Sequence, residues 1–210
     1  VYDKTRRAIP SQKREQTKSG DFEVSLLVLS AIVMKADGEV SESEKKYVSD
    51  YFVKMYGKDR ANHAFRLFKG IIKSEAISPR QICLQIQHQM QHAARLQLMH
   101  YLFALAKADE IVTSEELDML HKIASYLNIN PRDFESIKAM FYNDSQSAYK
   151  ILEIEKTATD QEVKAAYRKM VKKHHPDKLR HLGEEHLKGA QDKFLKIQEA
   201  YEQVKKERSL

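Results

Sequence analysis

The sequence predicts an all-α protein, a seven-helix bundle over residues 21–143 followed by a small helical hairpin over 147–210. Three observations carry that prediction. Apolar residues recur at steps of three and four, and no strand-like alternation interrupts them. Residues suited to helix N-caps stand just ahead of those runs. Six glycines and four prolines in 210 residues are too few for a turn-dense β architecture.

Residues 1–20 carry six Lys/Arg against Asp3 and Glu15, a net +4. The block reads as a basic tail, disordered or juxtamembrane. In the second case it is the cytoplasmic flank of an upstream anchor, because such flanks are rich in Lys and Arg. The start at Val1 rather than Met fits a fragment, and such an anchor allows a homodimer. Within the chain, the longest apolar run spans only Val24 to Met34, well short of the roughly 20 residues that cross a bilayer. One cysteine, Cys83, excludes an internal disulfide and reads as a structural thiol in a reducing compartment.

The first helix, from Phe22 to Ala36, is apolar nearly all round and so is expected at the centre of the array. Ala36-Asp37-Gly38-Glu39-Val40-Ser41-Glu42-Ser43-Glu44 follows, and Ala108 to Glu116 repeats the pattern. Each copy lies between an apolar helix and an amphipathic one. Each holds a capping box, Ser41 with Glu44 and Thr113 with Glu116, in which hydroxyl and carboxylate satisfy each other's backbone N–H groups. Ser78-Pro79 and Asn130-Pro131 mark two further helix starts. Asp37, Glu39, Asp109 and Glu110 are weak metal candidates, because their spacing does not fit a calcium loop. His88 and His92 are expected on the polar face of one helix, together with Gln85 and Arg95. No glycine-rich phosphate loop and no Ser/His/Asp signature is present, so a binding role is expected and no cofactor.

The last block, +4 again, opens with a short helix from Ser147 to Glu153. A third capping box, Thr159 with Glu162, starts a helix running to about His174. Its apolar stripe is Val163, Ala166, Tyr167, Met170 and His174, and Lys164, Arg168, Lys169, Lys172 and Lys173 take the far side. A second long helix carries Leu187, Ala190, Phe194, Ile197, Tyr201 and Val204, a seam for antiparallel packing on the first. Between them Pro176 turns His175 out of the helical region and exposes a His175-Pro176-Asp177 tip. A cationic helix face of this kind suits an acidic protein surface. It also allows a nucleic-acid contact, although no aromatic stacking set accompanies it.

Tyr149 to Leu152, Glu162 to Lys169 with its Tyr-Arg-Lys, His175-Pro176-Asp177 and Phe194 to Tyr201, in that order, resemble a J domain over residues 147–210. The doubled acidic loop within a helical array resembles the TerB-like domains named from tellurite resistance. The two in this order are similar to the DjlA-like branch of the DnaJ co-chaperones, whose members carry an N-terminal membrane segment on the cytoplasmic side of the inner membrane. The resemblance implies a non-enzymatic activator of a DnaK-class chaperone ATPase. The tip and the face formed by Tyr167, Lys164, Arg168, Lys169, Lys172 and Lys173 would bind that chaperone. The TerB-like part would select a client or locate the activity. A metal-binding stress-response protein and a nucleic-acid-binding module are the alternatives; the first would use the four acidic-loop residues.

Overall fold

The computed structural model describes residues 19–73, 77–142, 146–182 and 184–209, so the charges of the basic 1–20 block lie outside the described residues. Among the described residues there is no strand, and no helix is long and apolar enough to cross a membrane.

Seven helices build the first domain: α1 Ser19–Met34, α2 Glu42–Tyr56, α3 Lys58–Lys73, α4 Pro79–Gln89, α5 His92–Ala106, α6 Ser114–Tyr126 and α7 Pro131–Ala139. Helices α1 and α5 pack together at the centre. The eleven buried residues of α5 include Leu96, Leu98, Leu102 and Phe103, and α1 buries Phe22, Leu26, Leu29 and Val33. A helix apolar all round has no single face to bury, so it must be surrounded. The amphipathic helices surround these two, each burying one stripe, such as Val48, Phe52 and Met55 on α2.

The cap signals place the helix starts. Ser41, Thr113 and Thr159 each accept from the backbone N–H three residues on, and Glu44, Glu116 and Glu162 accept in return. Ser78 and Asn130 cap helices that open on Pro79 and Pro131. Each cap is worth about 1 kcal/mol, and their larger value is in fixing the register of the helices that follow.

One expectation is corrected. His88 and His92 do not share a helix face, because the chain breaks between α4 and α5 with Met90 extended and buried. Arg95 is buried as well, its guanidinium donating to the Leu127 carbonyl at the end of α6. No glycine or proline marks this break. Burial of Met90 and Arg95 overrides a continuous helical pattern.

The second domain consists of α8 Ser147–Ile151, α9 Asp160–His174, a 3-10 turn Pro176–Leu182 and α10 Glu184–Arg208. Tyr149, Leu152, Val163, Met170, Ile197 and Val204 form its core, and the Tyr167 ring stacks on Tyr201 at 4.0 Å and 6°. Arg208 closes the hairpin, donating to the Lys156 and Ala158 carbonyls at 2.5 Å and to the Tyr149 hydroxyl at 3.2 Å.

The two domains share packing. Leu179 and Leu182 of the 3-10 turn, with Leu187 and Ala190 of α10, belong to the core of the first domain. In the opposite direction Ala139 and Met140 join the core of the second, and Ser136 Oγ donates to the Ile151 carbonyl at 2.7 Å.

Candidate functional site

The tip of the hairpin is a short, held-out loop. His175 caps α9 with φ −58° and ψ 130°, the extended conformation that a following proline enforces. The 3-10 turn then folds back and anchors itself through Leu179 and Leu182, both buried. Its first residues are left at the surface. The side chains of His175 and Asp177 are 48% and 55% exposed. The Asp177 N–H donates to His175 Nδ1 at 3.3 Å, and Arg180 Nε lies 3.0 Å from Asp177 Oδ1. The Phe194 ring stands edge-on to His175 at 6.0 Å. Phe194, expected in the hairpin seam, instead supports the imidazole, and Arg180 was not foreseen at all. Its signal was its place three residues after Asp177 on a helical turn.

The histidine beside the tip behaves oppositely. His174 is buried with no hydrogen-bond partner for either ring nitrogen. Burial, reinforced by the charges of Lys193 and Lys173, pushes it well below the ordinary histidine range. It is a neutral packing residue, and only His175 of the pair is presented.

The basic face divides into two stripes. Lys164, Arg168 and Lys172, four apart, are all exposed. Lys169, exposed as well, and the more buried Lys173 form the second stripe and pair with acids of this chain. Lys169 lies 3.2 Å from Glu153, and Lys173, 18% exposed, bridges Glu153 and Asp133. Asp133 belongs to α7 of the other domain. It also meets His92 Nε2 at 3.0 Å and accepts from Asn130 Nδ2 at 2.8 Å. Burial works against its charge, yet the hydrogen bonds from His92 and Lys173 outweigh that and hold its carboxyl below the ordinary range. Tyr167 is half-buried against Tyr201.

The acidic loops are turns. Asp37 Oδ1 accepts from the Glu39 N–H at 3.0 Å, and Asp109 Oδ1 from the Ile111 N–H at 3.2 Å. Gly38 and Glu110 both take positive φ, 89° and 69°, so the two loops share one backbone despite different residues. Among the described residues no three His, Cys, Asp or Glu side chains gather as a metal ion would require. Cys83 is buried, and burial pushes its thiol up to about 12.

Comparison with known proteins matches both units. Residues 23–139 match the family described as tellurite resistance protein TerB, and residues 147–209 match the DnaJ domain. The chain is 28% identical to the co-chaperone protein DjlA of Coxiella burnetii over 97% of this chain and 82% of that protein. It is 30% identical to the DjlA of Vibrio vulnificus strain YJ016, over 95% and 81%. The DjlA of Shewanella oneidensis matches at 51% over 65 residues, which are 30% of this chain and 25% of that protein. No solved structure matches. With a helical TerB domain followed by a DnaJ domain along nearly its whole length, the chain belongs to the DjlA family of co-chaperones.

Proposed function

We propose that this chain docks on a DnaK-class chaperone through its J domain and stimulates that partner's ATP hydrolysis without being an enzyme itself. The observation that carries this reading is the held-out tip. His175 and Asp177 are half-exposed, braced by Phe194 and Arg180, and fixed from beneath by Leu179 and Leu182. A donor and an acceptor presented rigidly suit differential binding to one conformation of a partner, which is how a binding protein shifts a partner's equilibrium. Lys164, Arg168 and Lys172 offer a stripe of positive charge beside the tip, able to steer an acidic surface toward it. The TerB domain, wedded to the J domain through a shared core, chooses the client or the location. Anchoring at the inner membrane belongs to the same reading.

The test is a single-turnover ATPase assay with the cognate DnaK-type chaperone. His175→Gln, whose ring faces solvent, keeps the helical circular dichroism and abolishes stimulation. Full stimulation by that variant overturns the assignment.

A further inference from the structure

Helices α2, α5 and α10 enclose a cleft of about 450 Å³ between the two domains, within the roughly 300–1,000 Å³ typical of small-ligand sites. Tyr47, Tyr51 and Tyr101 form one wall, with the Tyr51 and Tyr101 ring centroids 4.5 Å apart and those of Tyr47 and Tyr101 5.9 Å apart. Gly189 of α10 forms part of the opposite wall. A Cβ there would come within 3.3 Å of Gln97 Nε2 and Tyr51 Oη, so the helix approaches as closely as it does because the residue is glycine.

Gln97 distinguishes this cleft from an ordinary seam. Its side chain is 2% exposed, it lines the cleft, and its buried Oε1 has no hydrogen-bond partner. A buried acceptor left unmade is costly, which makes it a place for a donor from elsewhere. His100, in the same wall, is pushed down to about 3 by burial and by the charges of Lys193 and Lys196. Its ring is therefore neutral at physiological pH. The cleft thus sets tyrosine rings, a neutral imidazole and one unanswered acceptor beside the exposed charges of Asp50, Lys54, Asp192 and Lys196, two of each sign.

We propose that this cleft binds an aromatic side chain bearing an N–H, the indole of an exposed polypeptide segment, with Gln97 Oε1 accepting from the ring and the tyrosines packing on its faces. Because α10 and the α2–α5 pair supply opposite walls, occupancy fastens the J domain to the TerB domain. The inference rests on the client-selecting part of the proposed function for the source of the indole.

The 210-residue chain contains no tryptophan, so a tryptophan probe reports on its own environment. Titrating the chain into acetyl-Ala-Trp-Ala-amide gives a saturable blue shift in emission. Gln97→Met, which keeps the volume and removes the acceptor, weakens binding about tenfold without lowering thermal stability. Acetyl-Ala-Phe-Ala-amide, which lacks the ring donor, competes about tenfold less well. Ala104→Phe, which fills the cleft, abolishes the shift with unchanged circular dichroism. Absence of a saturable shift, equal competition by the phenylalanine peptide, or unaltered affinity in Gln97→Met overturns the proposal. No chaperone is present in this experiment, so its failure leaves ATPase stimulation standing, and loss of stimulation in His175→Gln leaves indole binding untouched.

Discussion

Glu110 holds a left-handed backbone position, φ 69°, where the equivalent loop of the repeat has Gly38 at 89°. A side chain at such an angle costs about 1–2 kcal/mol, and glycine is free of that cost while losing more entropy on folding. The loop is held by Asp109, by Lys107 Nζ donating to the Glu110 carbonyl at 2.8 Å, and by the Thr113–Glu116 capping box. None of these needs the Glu110 side chain. Glu110→Gly is therefore expected to raise stability by about 0.5–1 kcal/mol in urea unfolding. A loss of stability would show that the carboxylate itself holds the turn. The repeat made both loops legible in the sequence, but their shared backbone was not, because a glutamate gives no sign that it will take a glycine's conformation. Nor did the sequence show that the two capping-box glutamates are buried. Burial raises both pKa values, Glu44 to about 7; as smaller effects Glu116 and Asp109 raise Glu44 further, and Asp37 and Asp109 raise Glu116.

At the scale of one element, α9 shows how a cationic helix is shared between binding and folding. Lys164, Arg168 and Lys172 face outward, and Lys169 and Lys173 tie the helix to Glu153 and, across the seam, to Asp133. The stripes should separate in experiment. Arg168→Glu slows association with the DnaK-type partner about tenfold at low salt, an effect that fades as salt rises, because an exposed charge acts on the encounter rate. Lys173→Met leaves the association rate within about twofold and lowers stability by about 2–3 kcal/mol, since it takes the lysine from the buried Asp133, which keeps His92 and Asn130, and leaves Glu153 with Lys169. Stopped-flow association and urea unfolding on both variants check this; a large rate effect in Lys173→Met would put that lysine on the docking face after all. Periodicity showed which residues of α9 face away from its core. It could not show which of them another element would meet, because Asp133 lies 40 positions earlier and reads locally as an N-terminal helix residue.

Across the whole molecule, the seam of α10 serves two cores. In the sequence, Leu187, Ala190, Phe194, Ile197, Tyr201 and Val204 form one unbroken stripe. In the structure, Leu187 and Ala190 pack into the TerB domain, Phe194 supports His175, and Ile197 and Val204 fill the hairpin. Local periodicity is the same in all three settings, so only the fold distributes them. Lys193 lies at the junction, 2% exposed, near His174, His100 and Asp133. Burial lowers it from 10.5 to about 7, and the opposing pull of Asp133 does not prevent this. Between those two values the unfolded chain carries a proton that the folded chain lacks, so stability rises with pH from about 7 toward 10. His174 and His100 are pushed down and titrate below this window; the buried tyrosines Tyr47, Tyr51 and Tyr101 are pushed up and titrate above it. The Cys83 thiol, pushed up from 9.0 to about 12, opposes the rise above about pH 9. Replacing Lys193 by methionine keeps the apolar stem and removes the buried amine. Lys193→Met should therefore be more stable at pH 7 by about 1–3 kcal/mol. It should also lose the rise in urea midpoint between about pH 7 and 9 that is expected of the parent. If the parent has no such rise, Lys193 reaches water and the seam between the domains opens in solution. If the rise persists in the variant, another group in the seam titrates in its place.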